Sequence, residues 1–235
     1  MKKLLAFAVL ACLFTGCFSF TEEIRQEPDN TYTLTRTVAM GMSMFDMLAS
    51  FKMMGDTTGI TDSVAFRREM IDSLRREWTV ALDTLRAKPG YISSFVRDTI
   101  IDTNLHIISS VHVTDAIHLP PFHTAMWRTM ESDESGGETE KLAMKITKKN
   151  GKTTIRYVFP PMEKEQKKQS KEEREMAKDF IKDINIYFRV ISPNLVIPKG
   201  KTKMKKIAGG LEYKLPLLEI VDGKKAPKSV EFVIK

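Results

Sequence analysis

Tyr32-Thr33-Leu34-Thr35-Arg36-Thr37-Val38-Ala39-Met40-Gly41-Met42 is the stretch on which the fold turns. Tyr32, Leu34, Val38, Met40 and Met42 fall on one side of an extended chain, and Thr33, Thr35 and Thr37 on the other. A period of two is the signature of a half-buried strand, here with a solvated threonine face. Arg36 is the exception: a charge on the apolar side. Before this stretch, Glu22 to Glu27 predicts a short strand and Pro28-Asp29-Asn30 a turn. After it, Ser43-Met44-Phe45-Asp46 reads as a capping box. Met44, Met47, Leu48, Phe51 and Met54 then follow helical spacing until Gly55.

The same reasoning extends outward along the chain. A longer helix is expected from about Asp62 to Lys88, with the stripe Met70, Ile71, Leu74, Trp78, Ala81, Leu82 and Leu85, stopped by Pro89-Gly90. Tyr91 to Thr114 reads as extended, with Leu105, Ile107, Val111 and Val113 on one face. Pro120-Pro121 suits a helix start, followed by Phe122, Ala125, Met126 and Met130. Glu131 to Glu140 is an acidic Gly/Ser loop, expected to be mobile. Asn150-Gly151 between two alternating runs, Leu142–Lys148 and Thr153–Phe159, is a hairpin signal. Glu163 to Asp183 predicts a charged helix docked through Met176, Phe180, Ile181 and Ile184. Strands are expected near Ile184–Ile191, Leu211–Val221 and Val230–Ile234. The expected fold class is therefore α+β: a largely antiparallel sheet with two or three helices on one face, preceded by a signal-peptide helix.

That leader is residues 1–16. Lys2 and Lys3 form a positive start, and Leu4 to Phe14 is a run of eleven uncharged residues, too short to span a bilayer. Leu13-Phe14-Thr15-Gly16-Cys17 looks like a bacterial lipobox, so Cys17 is the expected lipidation site. Residues 17–235 then form one envelope domain. Cys12 would leave with the leader and Cys17 would carry acyl chains, which excludes catalytic-thiol and thiolate-metal chemistry. Each buried lipid methylene contributes about 0.8 kcal/mol, so two or three chains (palmitate or similar) anchor stably. The tether is short if Glu22 already lies in the first strand.

Length and composition agree with a globular body: 235 residues, 42% hydrophobic and 29% charged. The charge is uneven. Residues 17–140 carry 11 basic and 19 acidic side chains, and residues 141–235 carry 24 and 11. The basic half is either matched within the fold or faces a partner. Nucleic acid is a poor partner outside the cytoplasm, and no aromatic-interleaved basic motif argues for it.

Four groups of residues have the right types for chemistry. His106, His112, His118 and His123 are metal-ligand types, but six positions on one strand put His106 and His112 roughly 20 Å apart. Met40, Met42, Met44 and Met47 offer thioethers for Cu(I), yet they fall on expected core faces. Ser109, Ser110, His112 and Asp115 have nucleophile, base and orienter types without a Gly-x-Ser-x-Gly elbow. Asp98 and Asp102 could pair as carboxylates only across a cleft. Ordinary structural roles are the expectation for all four, with no catalytic residue, cofactor or metal site assigned. Lys199, Lys201, Lys203, Lys205 and Lys206 place five cations in eight residues. They suit an anionic leaflet, at about 1 kcal/mol each, or an edge strand guarded by lysines.

The order of these elements resembles a group of bacterial lipoproteins and, more remotely, the LppM-like lipoprotein domain. The shared pattern is a lipidated cysteine, a strand (Glu22–Glu27), a turn (Asp29-Asn30), a strand (Tyr32–Met42) and a Met-rich segment (Met44–Met54). Asn30 stands where that pattern has a glycine. Further on, Ile186-Tyr187-Phe188-Arg189-Val190 leads to Ser192-Pro193-Asn194 and to Leu211–Val221 with Leu215-Pro216-Leu217-Leu218. The resemblance implies a small envelope domain with lipid-like binding and supplies no catalytic residues.

The functional expectation is a non-catalytic, membrane-anchored lipoprotein that binds an envelope protein or anionic lipid, or serves as a scaffold. Its contact surface would be the lysine cluster 199–206. The alternative is a carrier of lipid or another apolar ligand, with Met44, Met47, Phe51, Met54 and Phe122 lining the pocket. Metal handling stands third. Phe18 after the cysteine brings no retention charge, which by resemblance to other lipoproteins points to the outer membrane.

Overall fold

The computed structural model describes residues 18–42, 63–102, 104–128, 142–159, 184–197, 203–218 and 227–235. The first strand is longer than the sequence suggested. β1 covers Phe18–Gln26 and pairs antiparallel with β2, Tyr32–Gly41, along its full length. The turn between them holds Asn30 at φ 63°. Asparagine tolerates that left-handed conformation better than other residues with a side chain, so it does a glycine's work there.

The helix α1 spans Ser63–Asp83 and buries the expected stripe, with Trp78 and Leu82 nearly inaccessible. The segment Tyr91 to Thr114 is not one extended run but a hairpin. β3 is Tyr91–Ile101 and β4 is Asn104–Val113, with Asp102 at φ 46° on the connection. No glycine or proline marks that reversal, so alternation alone read straight through it. A short 3₁₀ turn, Ala116–His118, then leads into the helix α2, Leu119–Arg128.

Asn150 and Gly151, at φ 52° and 70°, join β5 (Ala143–Lys149) to β6 (Lys152–Val158) as the dipeptide required. Next come β7 (Asn185–Ile191), β8 (Leu195–Val196), β9 (Met204–Ile207), β10 (Gly210–Pro216) and β11 (Ser229–Ile234). β8 and β9 are too short to leave an alternation signal. β10 stops at Pro216, well short of Val221.

These strands make two sheets rather than one. The larger has seven strands in the order β3-β4-β2-β1-β7-β10-β9, and the smaller four, in the order β5-β6-β11-β8. The large sheet is mixed, because β1 and β7 run parallel. It joins strands from both halves of the chain. Its inner face is covered in two parts. Ile24, Leu34, Val111 and Phe188 meet Ile155, Tyr157 and Phe232 of the small sheet. Phe20, Val38, Met40 and Leu105 meet Met70, Leu74 and Trp78 of α1. The architecture is thus a strand-rich α+β fold. On the outer face, Thr33, Thr35 and Thr37 are half-buried rather than fully solvated.

Residues 1–17, 43–62, 103, 129–141, 160–183, 198–202 and 219–226 lie outside the described residues. They hold the expected leader and Cys17, the expected Met-rich helix with Met44, Met47, Phe51 and Met54, the expected acidic loop, the whole of the expected charged helix Glu163–Asp183, and Lys199 and Lys201.

Candidate functional site

The charged residue on the apolar face of β2 finds its explanation across the strand. In β1, the inward row runs Phe20, Glu22, Ile24, so Glu22 breaks the apolar pattern as Arg36 does. The register sets Glu22 directly opposite Arg36. Arg36 Nη2 donates to Glu22 Oε2 at 2.6 Å, and both side chains are wholly inaccessible.

The third member comes from far along the chain. Leu119 and Phe122 sink α2 into the core, and the next residue, His123, lies against the pair. Its Nδ1 is 2.9 Å from Glu22 Oε1, and its Nε2 is 3.2 Å from the Leu142 carbonyl. An ionised carboxylate and a carbonyl only accept, so both ring nitrogens must donate and the doubly protonated imidazolium satisfies the geometry. Burial alone would raise the Glu22 carboxyl, but the charges and hydrogen bonds of His123 and Arg36 outweigh it and hold the carboxyl at about 2. Burial pulls the Arg36 guanidinium below its ordinary range, with Glu22 opposing. Burial and the neighbouring Glu22 charge push the Tyr157 phenol well up.

Aromatic rings close the centre. The Arg36 guanidinium carbon is 4.8 Å from the Trp127 ring and 5.1 Å from the Phe20 ring. Desolvated cation–π contacts of this kind are worth about 2 kcal/mol. The Tyr157 ring lies 4.4 Å from that of Phe188, tilted by 42°, and Phe188 pairs with Glu22 on the β7 side. Arg36 Nε and Nη1, Ser109 Oγ and Trp127 Nε1 are buried and find no hydrogen-bond partner among the described residues. The centre therefore ties α2, β1, β2 and β6 together at one enclosed point. An exchangeable substrate does not reach a group with zero accessibility, so its chemistry is that of an ionic lock between elements.

The outer face of the large sheet is different. A trough of about 270 Å³ lies over β1, β2 and the neighbouring strands, lined by Ser19, Thr21, Glu23, Thr35, Thr37, Ala39, His106 and Arg189. Short hydroxyl side chains make its floor. Arg189 donates to Glu212 at 2.7 Å at its edge, and Arg25 to Glu23 at 2.8 Å.

The other residues singled out from the sequence scatter. His106 lines the trough, His112 bonds Thr31 Oγ1 at 2.6 Å, and His118 lies under Gly90. The four histidines do not meet. Among the described residues no three His, Cys, Asp or Glu side chains come together as a metal site. Ser109 faces inward, while Ser110 bonds Thr35 on the outer face. Asp115 caps the 3₁₀ turn and pairs with Lys148. Asp98 pairs with Arg75 rather than Asp102. Lys205 and Lys206 stand exposed on β9, the edge of the large sheet, and exposed Lys203 precedes them. Phe122 is fully buried against Tyr91. Glu22 and His123 were not singled out as partners of Arg36; the signal available was two opposite charges, each alone in an apolar strand row.

No protein-family model matches this chain, and no curated protein matches it in sequence. Among solved structures, the folded domain of Mycobacterium tuberculosis LppM is similar, with a TM-score of 0.45 and 9% identity over 93% of this chain and 89% of that one.

Proposed function

We propose that this chain is a membrane-anchored envelope lipoprotein whose domain is a non-catalytic binding or scaffold module. The trough on the outer sheet face carries this reading. Its hydroxyls, imidazole, carboxylate and guanidinium suit a polar partner, such as an envelope protein or a lipid headgroup. An acyl chain laid there would strip water from those polar groups, at a cost of about 1–3 kcal/mol for each one left without a partner. The ionic lock supports the same reading, because it stiffens the sheet that presents the trough. The lipobox at Cys17 supplies the anchor and, with uncharged Phe18 next, the outer membrane as the destination.

Mass spectrometry of the mature N-terminal peptide tests the anchor. The expected result is an acylated Cys17 that disappears in Cys17→Ser; a mature chain without lipid refutes it. Native mass spectrometry of the chain extracted from membranes tests the module. A stoichiometric lipid that leaves on denaturation, beyond the covalent one, would favour the carrier reading instead.

A further inference from the structure

The large sheet has two unlike ends. At one end are Glu27, Asp29, Asn30 and Thr31, bonded among themselves through Asp29 Oδ1 and the Glu27 carbonyl. At the other end β1 begins, and the residues there are apolar. The register places Phe18 opposite Met40, Met40 opposite Leu105, and Leu105 opposite Ile100. Ile100 therefore lies three strand spacings from Phe18, about 14 Å. Ile101 is one residue further toward that end, on the outer face. Leu217 joins the same rim, since its N–H bonds the Ile184 carbonyl and the adjoining Asn185 pairs with Ser19. Phe18, Met42, Leu217 and Leu218 are half-buried, whereas Ile100 and Ile101 are 62% and 49% exposed.

Scattered exposed apolar residues need no explanation. These two are adjacent, β-branched, and at the tip of an edge hairpin, where an uncovered strand invites pairing with other chains. Their position relative to the anchor is what distinguishes them. Cys17 is one peptide bond from Phe18, so the expected acyl chains leave the polypeptide about 3.8 Å from the first residue of β1. With no linker between anchor and sheet, this end faces the bilayer.

We propose that this end of the sheet is a membrane-docking rim, in which Ile100 and Ile101 enter the lipid interface beside the acylated Cys17. The inference rests on the acylation put forward above. The occupant is the bilayer that holds the anchor. The domain is then fixed in orientation by two points, the lipid and the hairpin. The outer sheet face stands roughly along the membrane normal, open to a partner from the side.

The test uses the full chain, reconstituted in vesicles of phosphatidylethanolamine and phosphatidylglycerol doped with phosphatidylcholine brominated near the top of its acyl chains. A fluorophore is attached at Ile101→Cys, and in a second sample at Asn30→Cys at the opposite end. Ile101 is exposed, so the substitution leaves the core intact. The N-terminal peptide mass is recorded on the same samples, which decides acylation separately. The expected result is loss of emission at position 101 and none at 30. With Cys17 acylated, equal emission at the two positions, or a label at 101 that crosslinks to a second copy instead of meeting lipid, overturns the rim. A missing acyl group in the peptide mass would refute the anchor and, with it, the rim built beside it.

Discussion

Replacing Glu22 by glutamine removes one charge from the enclosed centre while keeping its shape. Arg36 then has no counter-charge and cannot shed its proton. Breaking a buried pair by one partner costs about 3–5 kcal/mol. The titration behaviour gives the same size. A carboxyl lowered from 4.5 to about 2 on folding corresponds to about 3 kcal/mol. Its sign follows from the direction of the shift. The contribution is complete above about 4.5 and is lost as pH falls through about 2.

Urea unfolding at neutral pH, followed by circular dichroism and tryptophan fluorescence, reads the loss. Trp127 lies on Arg36 and reports the centre itself. With a urea slope of about 1–3 kcal/mol per molar, Glu22→Gln should lower the midpoint by roughly 1–3 M. The wild type should lose an additional stability increment on acidification from 4.5 toward 2, and the variant should lack it. Removing both charges together, as Glu22→Leu with Arg36→Met, should recover only part of the deficit, since the Arg36 charge is no longer stranded but His123 Nδ1 still loses its acceptor. A loss below about 1 kcal/mol in Glu22→Gln, or identical acid profiles for the two proteins, would refute the reasoning.

Tyr157→Phe removes a buried hydroxyl that faces the Glu22 carboxylate, so it should cost about 1–2 kcal/mol, less than Glu22→Gln, as chemical denaturation would show. Gly90→Ala should cost at least about 2 kcal/mol, because Gly90 has φ 76° and an added methyl would strike the His118 ring. Gly151→Ala, at φ 70° in open space, should cost only about 1 kcal/mol, and thermal melts of the two variants should rank them in that order. Asp115→Ala should cost about 1 kcal/mol through loss of the cap on the 3₁₀ turn and of the Lys148 pair, measured the same way.

The alternation of Tyr32–Met42, the spacing of Met70 to Leu85 and the Asn150-Gly151 dipeptide were enough to place β2, α1 and the β5–β6 hairpin. In each, side-chain period or backbone conformation is a property of neighbours a few residues apart. The reversal at Asp102 was not legible, because the strands on both sides share a similar composition and the turn residue is neither glycine nor proline. The lysines at 205 and 206 fit the edge-strand role that their charge suggested.

By itself, then, the sequence determined the strands and helices whose period repeats locally, and it flagged Arg36 as a charge out of place. Only the tertiary structure decided that the strands divide into two sheets, that β1 runs parallel to β7, and that Arg36 and His123 share the Glu22 carboxylate. Glu22 and His123 are 101 residues apart. Local periodicity carries no information about such a contact, which exists because burial of α2 against the sheet forces the charges on each element to meet inside the fold.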